Sequence, residues 1–166
     1  MTRTLPCGRL APKEAPKINS EKLETFKSSF KSYLSESSLK FTEQRWAIAE
    51  IILTSGGHLD AQEMVELVKS KNPKIGAATV YRNIKVLCDA GLLELTHQNI
   101  AGRDVYELTE EGSHDHIICL DCGEAFEFTN PRMEKIQKDV ANDLNFELED
   151  QKLVIHAKCT LLSQDN

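Results

Sequence analysis

Residues 112–128, with the sequence GSHDHIICLDCGEAFEF, bring together side-chain types that bind metal ions. They include two histidines and two cysteines among several carboxylates. Because side chains alternate along a β-strand, His114 and His116 are expected on one face, with Asp115 and Cys119 on the other. Two imidazoles at this spacing can share one ion, whereas the cysteines would serve another. The segment therefore predicts two metal centres.

The two cysteines of this segment have the spacing of a zinc knuckle. Cys119 and Cys122 are separated by two residues, and Gly123 follows them to permit a tight turn. Zinc usually takes four protein ligands in a structural site, so a single cysteine pair needs further donors. Cys159, near the C-terminus, is a candidate third ligand.

The charge of the chain is divided unevenly between its two halves. The 166 residues carry a net charge of −6. Residues 1–86 hold 14 Lys and Arg against 9 Asp and Glu, whereas residues 87–166 hold 6 against 17. This distribution fits a nucleic-acid-binding first half joined to an acidic second half, or two solvated surfaces charged by chance.

The sequence predicts a cytoplasmic protein without a membrane partner. Its apolar runs are shorter than the roughly 20 residues that a membrane-spanning helix needs. The first residues, MTRTLPCGRLAPKEAPK, are basic but lack the apolar region of a secretory signal. In a reducing compartment, the five cysteines are expected to be metal ligands or plain thiols.

The segments before the metal-binding cluster have the order of a winged helix-turn-helix. Helical patterns are expected to begin after Asn19 or Ser20, at Thr42, after Asp60 and at about residue 77. The sequence DAQE has the form of a capping box. Two β-like runs, LLELT and DVYELT, then predict a hairpin around residues 101–103. Beyond residue 113, strand-like runs alternate with one helix that begins at Pro131.

The helix expected over residues 77–90 separates apolar from polar side chains. Its apolar stripe consists of Val80, Ile84, Leu87 and Cys88. On the opposite side are Tyr81, Arg82 and Lys85. For Tyr81, the alternative is packing against a neighbouring helix.

The run HDHIICLDCG, with ATVYR before it and EFTNPRMEKIQ after it, resembles the ferric uptake regulator (Fur) family of metal-dependent repressors. The resemblance covers residues 38–159. It implies an α+β chain in which a winged-helix DNA-binding domain precedes a small α/β domain for metal binding and dimerisation. The corresponding domains are a flexible tail over 1–18, the winged helix over 19–108, a hinge over 109–113 and the dimerisation domain over 114–166.

The resemblance also implies a regulatory metal that bridges the two domains. Its implied ligands are His58, Glu107, His114, His116 and Glu127. Three imidazoles and two carboxylates suit Fe(II), Mn(II) or Zn(II). Peroxide-sensing relatives place an aspartate where this chain has a glutamate, and zinc-sensing relatives often have a cysteine near position 107. The chain is therefore interpreted as a ferrous-iron sensor that controls iron-uptake genes, with peroxide or zinc sensing as the alternative.

Two departures from the family pattern affect the other metal sites. A second C-terminal cysteine is missing, so a structural Zn(II) site would consist of Cys119, Cys122 and Cys159 plus one further ligand, such as Cys7. The alternative is a thiolate site that is weak or absent. The histidines of the family's additional site are replaced by Ser113 and Gln151. Asp115 and Glu134 remain there, either as ligands or as solvated carboxylates.

The resemblance gives the helix over residues 77–90 the role of reading the DNA major groove. The residues expected to contact DNA are Lys40, Arg45, Tyr81, Arg82, Lys85 and Arg103. Arg103 is expected to reach a phosphate or the minor groove from the hairpin loop. A homodimer with two-fold symmetry predicts a palindromic operator, and pairing of dimers into tetramers stays open.

Two other classes of function fit parts of the sequence. A hydrolase would use His114, Glu107 and a metal-bound water, but it also needs an open coordination position and a substrate pocket. A metal-storage or structural zinc module would bind metal without binding an operator. The ATVYR helix and the hairpin favour a DNA-binding protein, not an enzyme.

Overall fold

The computed structural model describes residues 18–109 and 114–160, which belong to two compact units. The first unit ends at Thr109, and the second contains the described residues from His114 onward. Most of the predicted tail, including Cys7, lies outside the described residues, as do Ser113 and the rest of the predicted hinge beyond Thr109.

The first unit contains four helices among its described residues. They are α1 (Ser20–Glu36), α2 (Glu43–Leu53), α3 (Ala61–Lys71) and α4 (Ala77–Asp89). Side-chain oxygens of Asn19, Thr42 and Asp60 accept hydrogen bonds from backbone N–H groups in the first turns of α1, α2 and α3. The predicted capping box at α3 is present, because Glu63 also accepts from the backbone N–H of Asp60.

One hydrophobic core holds these four helices together. Phe30 of α1 is buried against Trp46 of α2, with ring centroids 6.4 Å apart. Leu53, Val68 and Leu87 contribute fully buried side chains from α2, α3 and α4. Burial of one stripe per helix leaves the opposite faces exposed, as the sequence periodicity predicted.

A three-stranded antiparallel sheet completes the first unit. Its strands β1 (Leu59–Asp60), β2 (Leu93–Gln98) and β3 (Asp104–Leu108) lie in the order β1-β3-β2. The pairing of β2 with β3 contains an irregularity between Leu95 and His97. The β2–β3 hairpin is the wing, so this unit is a winged helix preceded by the additional helix α1.

The second unit has a mixed sheet and one helix. It comprises β4 (Asp115–Cys119), β5 (Ala125–Phe128), α5 (Pro131–Asp143) and β6 (Val154–Ala157). The strand order is β5-β4-β6, with β4 antiparallel to β5 and parallel to β6. Asn130 caps α5 and Pro131 occupies its first turn, as predicted. The predicted α+β fold class is confirmed.

Among the described residues, no helix has the length and apolarity to cross a membrane.

Candidate metal centres and nucleic-acid interface

In the first unit, a histidine and a glutamate from neighbouring strand positions form a close pair. The Nε2 atom of His58 lies 2.8 Å from a carboxylate oxygen of Glu107, and Glu107 is buried. The antiparallel β1–β3 register, which pairs Leu59 with Tyr106, explains the proximity because it continues to His58 and Glu107. An imidazole and a carboxylate this close are suitable ligands for a divalent transition metal.

The turn before His58 determines where that side chain lies. Gly56 and Gly57 have φ values of 65° and 71°, a conformation that residues with a side chain rarely adopt. They end the segment after α2 and direct the chain into β1. A second imidazole is nearby, since the ring centroid of His97 lies 6.0 Å from that of His58. The sequence pattern did not single out His97, because it stands alone in a β-strand of the wing.

A second group of predicted ligands lies in the second unit. The His114 and His116 rings have centroids 4.8 Å apart, and His116 is fully buried. Glu127 is the partner of His116 across the β4–β5 pairing, and its side chain is exposed on the edge strand β5. The backbone N–H of His116 donates to Leu153 O at 2.9 Å, which holds β4 beside the chain leading into β6. Two imidazoles and one carboxylate thus lie close together in this unit.

The structure brings the predicted thiolate ligands together in the second unit. Cys119 and Cys159 are buried in one cluster, with Cys122 and Phe126 packed against them. Asp121 connects the two parts of the cluster, because its Oδ2 accepts the backbone N–H of Cys159 at 2.6 Å. The same oxygen lies 4.0 Å from the Cys119 sulfur. Three sulfur donors therefore suit Zn(II), and a complete tetrahedral site needs one more ligand.

The two carboxylates expected at an additional site have different surroundings. Asp115 is buried, and its Oδ1 accepts the backbone N–H of Leu153 at 3.0 Å. The alternative of a solvated carboxylate is therefore wrong for Asp115, because the group is buried and accepts a hydrogen bond from the residue that precedes β6. Glu134 is exposed in the first turn of α5 and lines a shallow cavity with Lys138 and residues 148–151.

Cys88 is distinct from the other described cysteines. It lies on α4, partly buried against the core of the first unit. Burial raises the pKa of its thiol, and the neighbouring Asp89 charge raises that pKa further. Cys88 lies in the first unit and is not a member of the thiolate cluster of the second unit.

The exposed face of α4 carries the predicted DNA-reading residues. Tyr81 is 48% exposed, so about half of its side chain is open to solvent, and the alternative of packing against a neighbouring helix is not tested by this exposure. Arg82 and Lys85 are also exposed. The Arg82 Nε donates to Ala78 O at 3.1 Å, and the Lys85 ammonium is 3.8 Å from Asp89. Such exposed contacts cost little to exchange for contacts with DNA.

The other predicted DNA-contacting residues lie at the start of α2 and in the wing. The Arg45 guanidinium donates to Lys40 O at 3.0 Å, so both residues lie at the entry to α2. Arg103 is half exposed, and its guanidinium is 3.1 Å from the buried carboxylate of Asp60. The sequence pattern identified Asp60 only as a helix cap and did not predict this ion pair.

Comparisons with known proteins give a consistent result. The model of the Ferric uptake regulator family matches residues 36–156. A Ferric uptake regulation protein from Yersinia pestis is 34% identical over 127 residues, which cover 76% of this chain and 85% of that protein.

Two solved structures extend the comparison to the fold. The Fur structure from Helicobacter pylori, reported to reveal three functional metal binding sites, is 25% identical with a TM-score of 0.75. The alignment covers 91% of this chain and 98% of that one. A zinc-bound manganese uptake regulator is 34% identical with a TM-score of 0.59, over 78% of this chain and 98% of that one.

Proposed function

Because the chain belongs to the ferric uptake regulator family of metal-responsive, DNA-binding transcription regulators, we propose that it represses iron-uptake genes when ferrous iron is bound. The observation that carries this proposal is the close pairing of His58 with Glu107, which provides a preformed two-ligand group on the DNA-binding unit. The protein would act in the cytoplasm, where it has access to the chromosome.

The regulatory ion would take ligands from both units. His58 and Glu107 supply two donors, whereas His114, His116 and Glu127 supply three. Fe(II) and Mn(II) commonly take five or six donors, so neither group alone satisfies the ion. A metal held by both groups restrains the two units relative to one another. Metal would thereby favour the arrangement of reading helices that fits the operator.

The choice of iron rests on the donor set and on metal availability. Imidazole and carboxylate donors accept Fe(II), Mn(II) and Zn(II), and intrinsic affinity favours Zn(II) over Fe(II). Both regulatory carboxylates are glutamates, which supports iron sensing over peroxide sensing. The 34% identity to a manganese uptake regulator makes Mn(II) the second candidate for the sensed metal.

A structural Zn(II) is proposed at Cys119, Cys122 and Cys159. The burial of two of these thiols beside the third supports the proposal, since a desolvated cluster of sulfur atoms favours a bound soft cation. Bound zinc would cross-link β4 to the segment that follows β6. Asp121 orients Cys159 for this purpose by accepting its backbone N–H.

DNA would be read by α4 of each protomer in a two-fold dimer on a palindromic operator. Tyr81, Arg82 and Lys85 would contact the major groove, while Lys40 and Arg45 would contact phosphates. The exposed apolar side chains on and after α5 support dimerisation through the second unit: Ile136, Val140, Leu144 and Phe146. Every residue of α5, a helix described in full, is at least partly exposed in the single chain.

An anaerobic mobility-shift titration of the operator with Fe(II), Mn(II) and Zn(II) tests the proposal. We expect Fe(II) to strengthen operator binding and His116→Ala to remove most of that effect. His156→Ala is the matched control, because His156 is an exposed histidine on β6 outside the ligand groups. Equal metal dependence in the two variants would contradict the proposed regulatory site.

A further inference from the structure

The carboxylate of Asp60 is almost completely buried and has two separate tasks. It is 1% exposed. One oxygen, Oδ1, accepts the backbone N–H groups of Gln62 and Glu63 at 2.9 and 3.0 Å, which caps α3. This task needs only one oxygen, and a serine or threonine performs it in many helices.

The other oxygen of Asp60 holds the wing. Oδ2 lies 3.1 Å from the Arg103 guanidinium and accepts Asn99 Nδ2 at 3.3 Å. A second guanidinium nitrogen of Arg103 donates to Gln62 Oε1 at 3.1 Å. Arg103 therefore bridges the start of α3 and the turn of the wing through a forked arrangement.

The wing turn is itself a closed unit around Asn99. The Asn99 side-chain oxygen accepts the backbone N–H groups of Ala101 and Arg103, both at 3.0 Å. The backbone N–H of Gly102 donates to Asn99 O at 2.8 Å, and that of Asn99 donates to Arg103 O at 2.9 Å. The turn is therefore ordered internally, and Asn99 and Arg103 attach it to Asp60.

A buried carboxylate with a cationic partner is costly to separate from that partner. Arg103 is also the sole Lys or Arg within residues 93–108, which comprise the whole wing hairpin. If Arg103 left Asp60 to contact a phosphate, the wing would lose its attachment to α3 and Asp60 would keep an uncompensated buried charge. These two consequences oppose the use of Arg103 as a simple phosphate contact.

We propose that Arg103 is a positioning residue, which Asp60 holds so that the wing turn stays docked on the start of α3 for operator binding. This inference rests on the proposed DNA-binding function and deepens it. It replaces the expectation that Arg103 contacts a phosphate or the minor groove. The wing would then approach DNA through its backbone and through the exposed tip residue Ile100.

The test uses metal-loaded full-length protein with Asp60→Ser, Arg103→Gln and the double substitution. Serine retains a cap for α3 but lacks the second oxygen that holds Arg103. Arg45→Gln is the control for a phosphate contact. Each lost phosphate contact makes the plot of log affinity against log salt concentration less steep by about 0.9. Operator affinity is measured over a range of salt concentrations, and amide hydrogen exchange of residues 101–103 is measured without DNA.

We expect Asp60→Ser and Arg103→Gln each to weaken operator binding about five- to tenfold without changing the salt slope. The double variant should be no weaker than the weaker single variant, because both remove the same attachment. Exchange at residues 101–103 should accelerate in both single variants. The inference is overturned if Arg103→Gln lowers the salt slope by about 0.9 per protomer while Asp60→Ser binds like the wild type.

Two additions keep the test decisive. Arg103→Lys retains a charge for a phosphate but loses the forked geometry, so it should resemble Arg103→Gln, whereas a near-normal affinity would contradict the inference. This variant replaces Asp60→Ser if the latter does not fold. If the wild-type protein binds no operator, the proposed function is refuted. If amide exchange at residues 101–103 is unchanged in the variants, docking of the wing turn on the start of α3 is refuted separately.

Discussion

The thiolate cluster and the imidazole–carboxylate groups differ in how their ligands are distributed along the fold. The three cysteines of the thiolate cluster belong to one unit, where two of them are buried side by side. The predicted regulatory ligands are divided, with two donors on the DNA-binding unit and three on the other. A metal inside one unit stabilises that unit, whereas a metal shared by two units restrains their orientation. On the proposed assignments, metal binding would serve folding at the thiolate cluster and regulation at the imidazole–carboxylate groups.

The largest expected effect follows from Cys119→Ser. Loss of a buried thiolate should remove the zinc and destabilise the second unit by about 3 kcal/mol or more, because metal binding is coupled to folding. Metal content by mass spectrometry and the unfolding midpoint measure this effect. Cys88→Ser is the control, since Cys88 lies in the first unit outside the cluster. Full zinc content and an unchanged unfolding midpoint in Cys119→Ser would contradict a structural Zn(II) at the thiolate cluster.

His58→Ala should leave folding nearly unchanged and weaken regulatory metal binding about 100-fold. The reason is that the ion would lose an imidazole donor and would keep Glu107 as its one proposed ligand on the first unit. Anaerobic titration calorimetry with Mn(II), which avoids oxidation of iron, measures the loss. The same affinity in the variant and the wild type would show that His58 is not a ligand of the ion.

Arg82→Ala should weaken specific operator binding by about 1–3 kcal/mol without altering metal affinity, because Arg82 is exposed on the reading helix. The result would separate reading of DNA from sensing of metal. A competition assay with nonspecific DNA distinguishes loss of base recognition from loss of phosphate contacts. An equal decrease on both DNAs would assign Arg82 to the backbone instead of the base edges.

The smallest effect is expected from Asp115→Asn. The amide oxygen of asparagine can still accept the Leu153 N–H, so the unfolding free energy should change by less than about 1 kcal/mol. Metal content should also remain the same if Asp115 has only this structural task. Loss of one bound ion in the variant would instead identify Asp115 as a ligand of an additional site.

The local parts of the fold were predictable from sequence because their signals lie within a few residues. The capping box at Asp60 and the Asn130-Pro131 start of α5 are examples. The sequence offered Cys159 only as a candidate third ligand, because residue spacing does not reveal the distance in space between segments that are far apart in sequence. These remote segments are joined by the parallel pairing of β4 with β6, and by the hydrogen bond that the backbone N–H of Cys159 donates to Asp121, 38 residues away in sequence.

The contacts of Asp60 with the wing were not predictable for the same reason. A capping residue is recognised by its neighbours in sequence, whereas its second oxygen is used by Arg103 on a distant hairpin. The proximity of His97 to His58 likewise depends on the pairing of strands in the β1-β3-β2 sheet. The identity of the bound metal depends on availability and geometry together, so residue types alone define a class of ions.

The most direct test compares operator affinity of the protein with its regulatory metal removed and with Fe(II) restored, while zinc is retained in both samples. Shared ligation by the two units predicts that Fe(II) strengthens operator binding on the order of 5- to 150-fold, the usual range of allosteric coupling. Equal affinity of the two samples for the operator would contradict metal-controlled DNA binding.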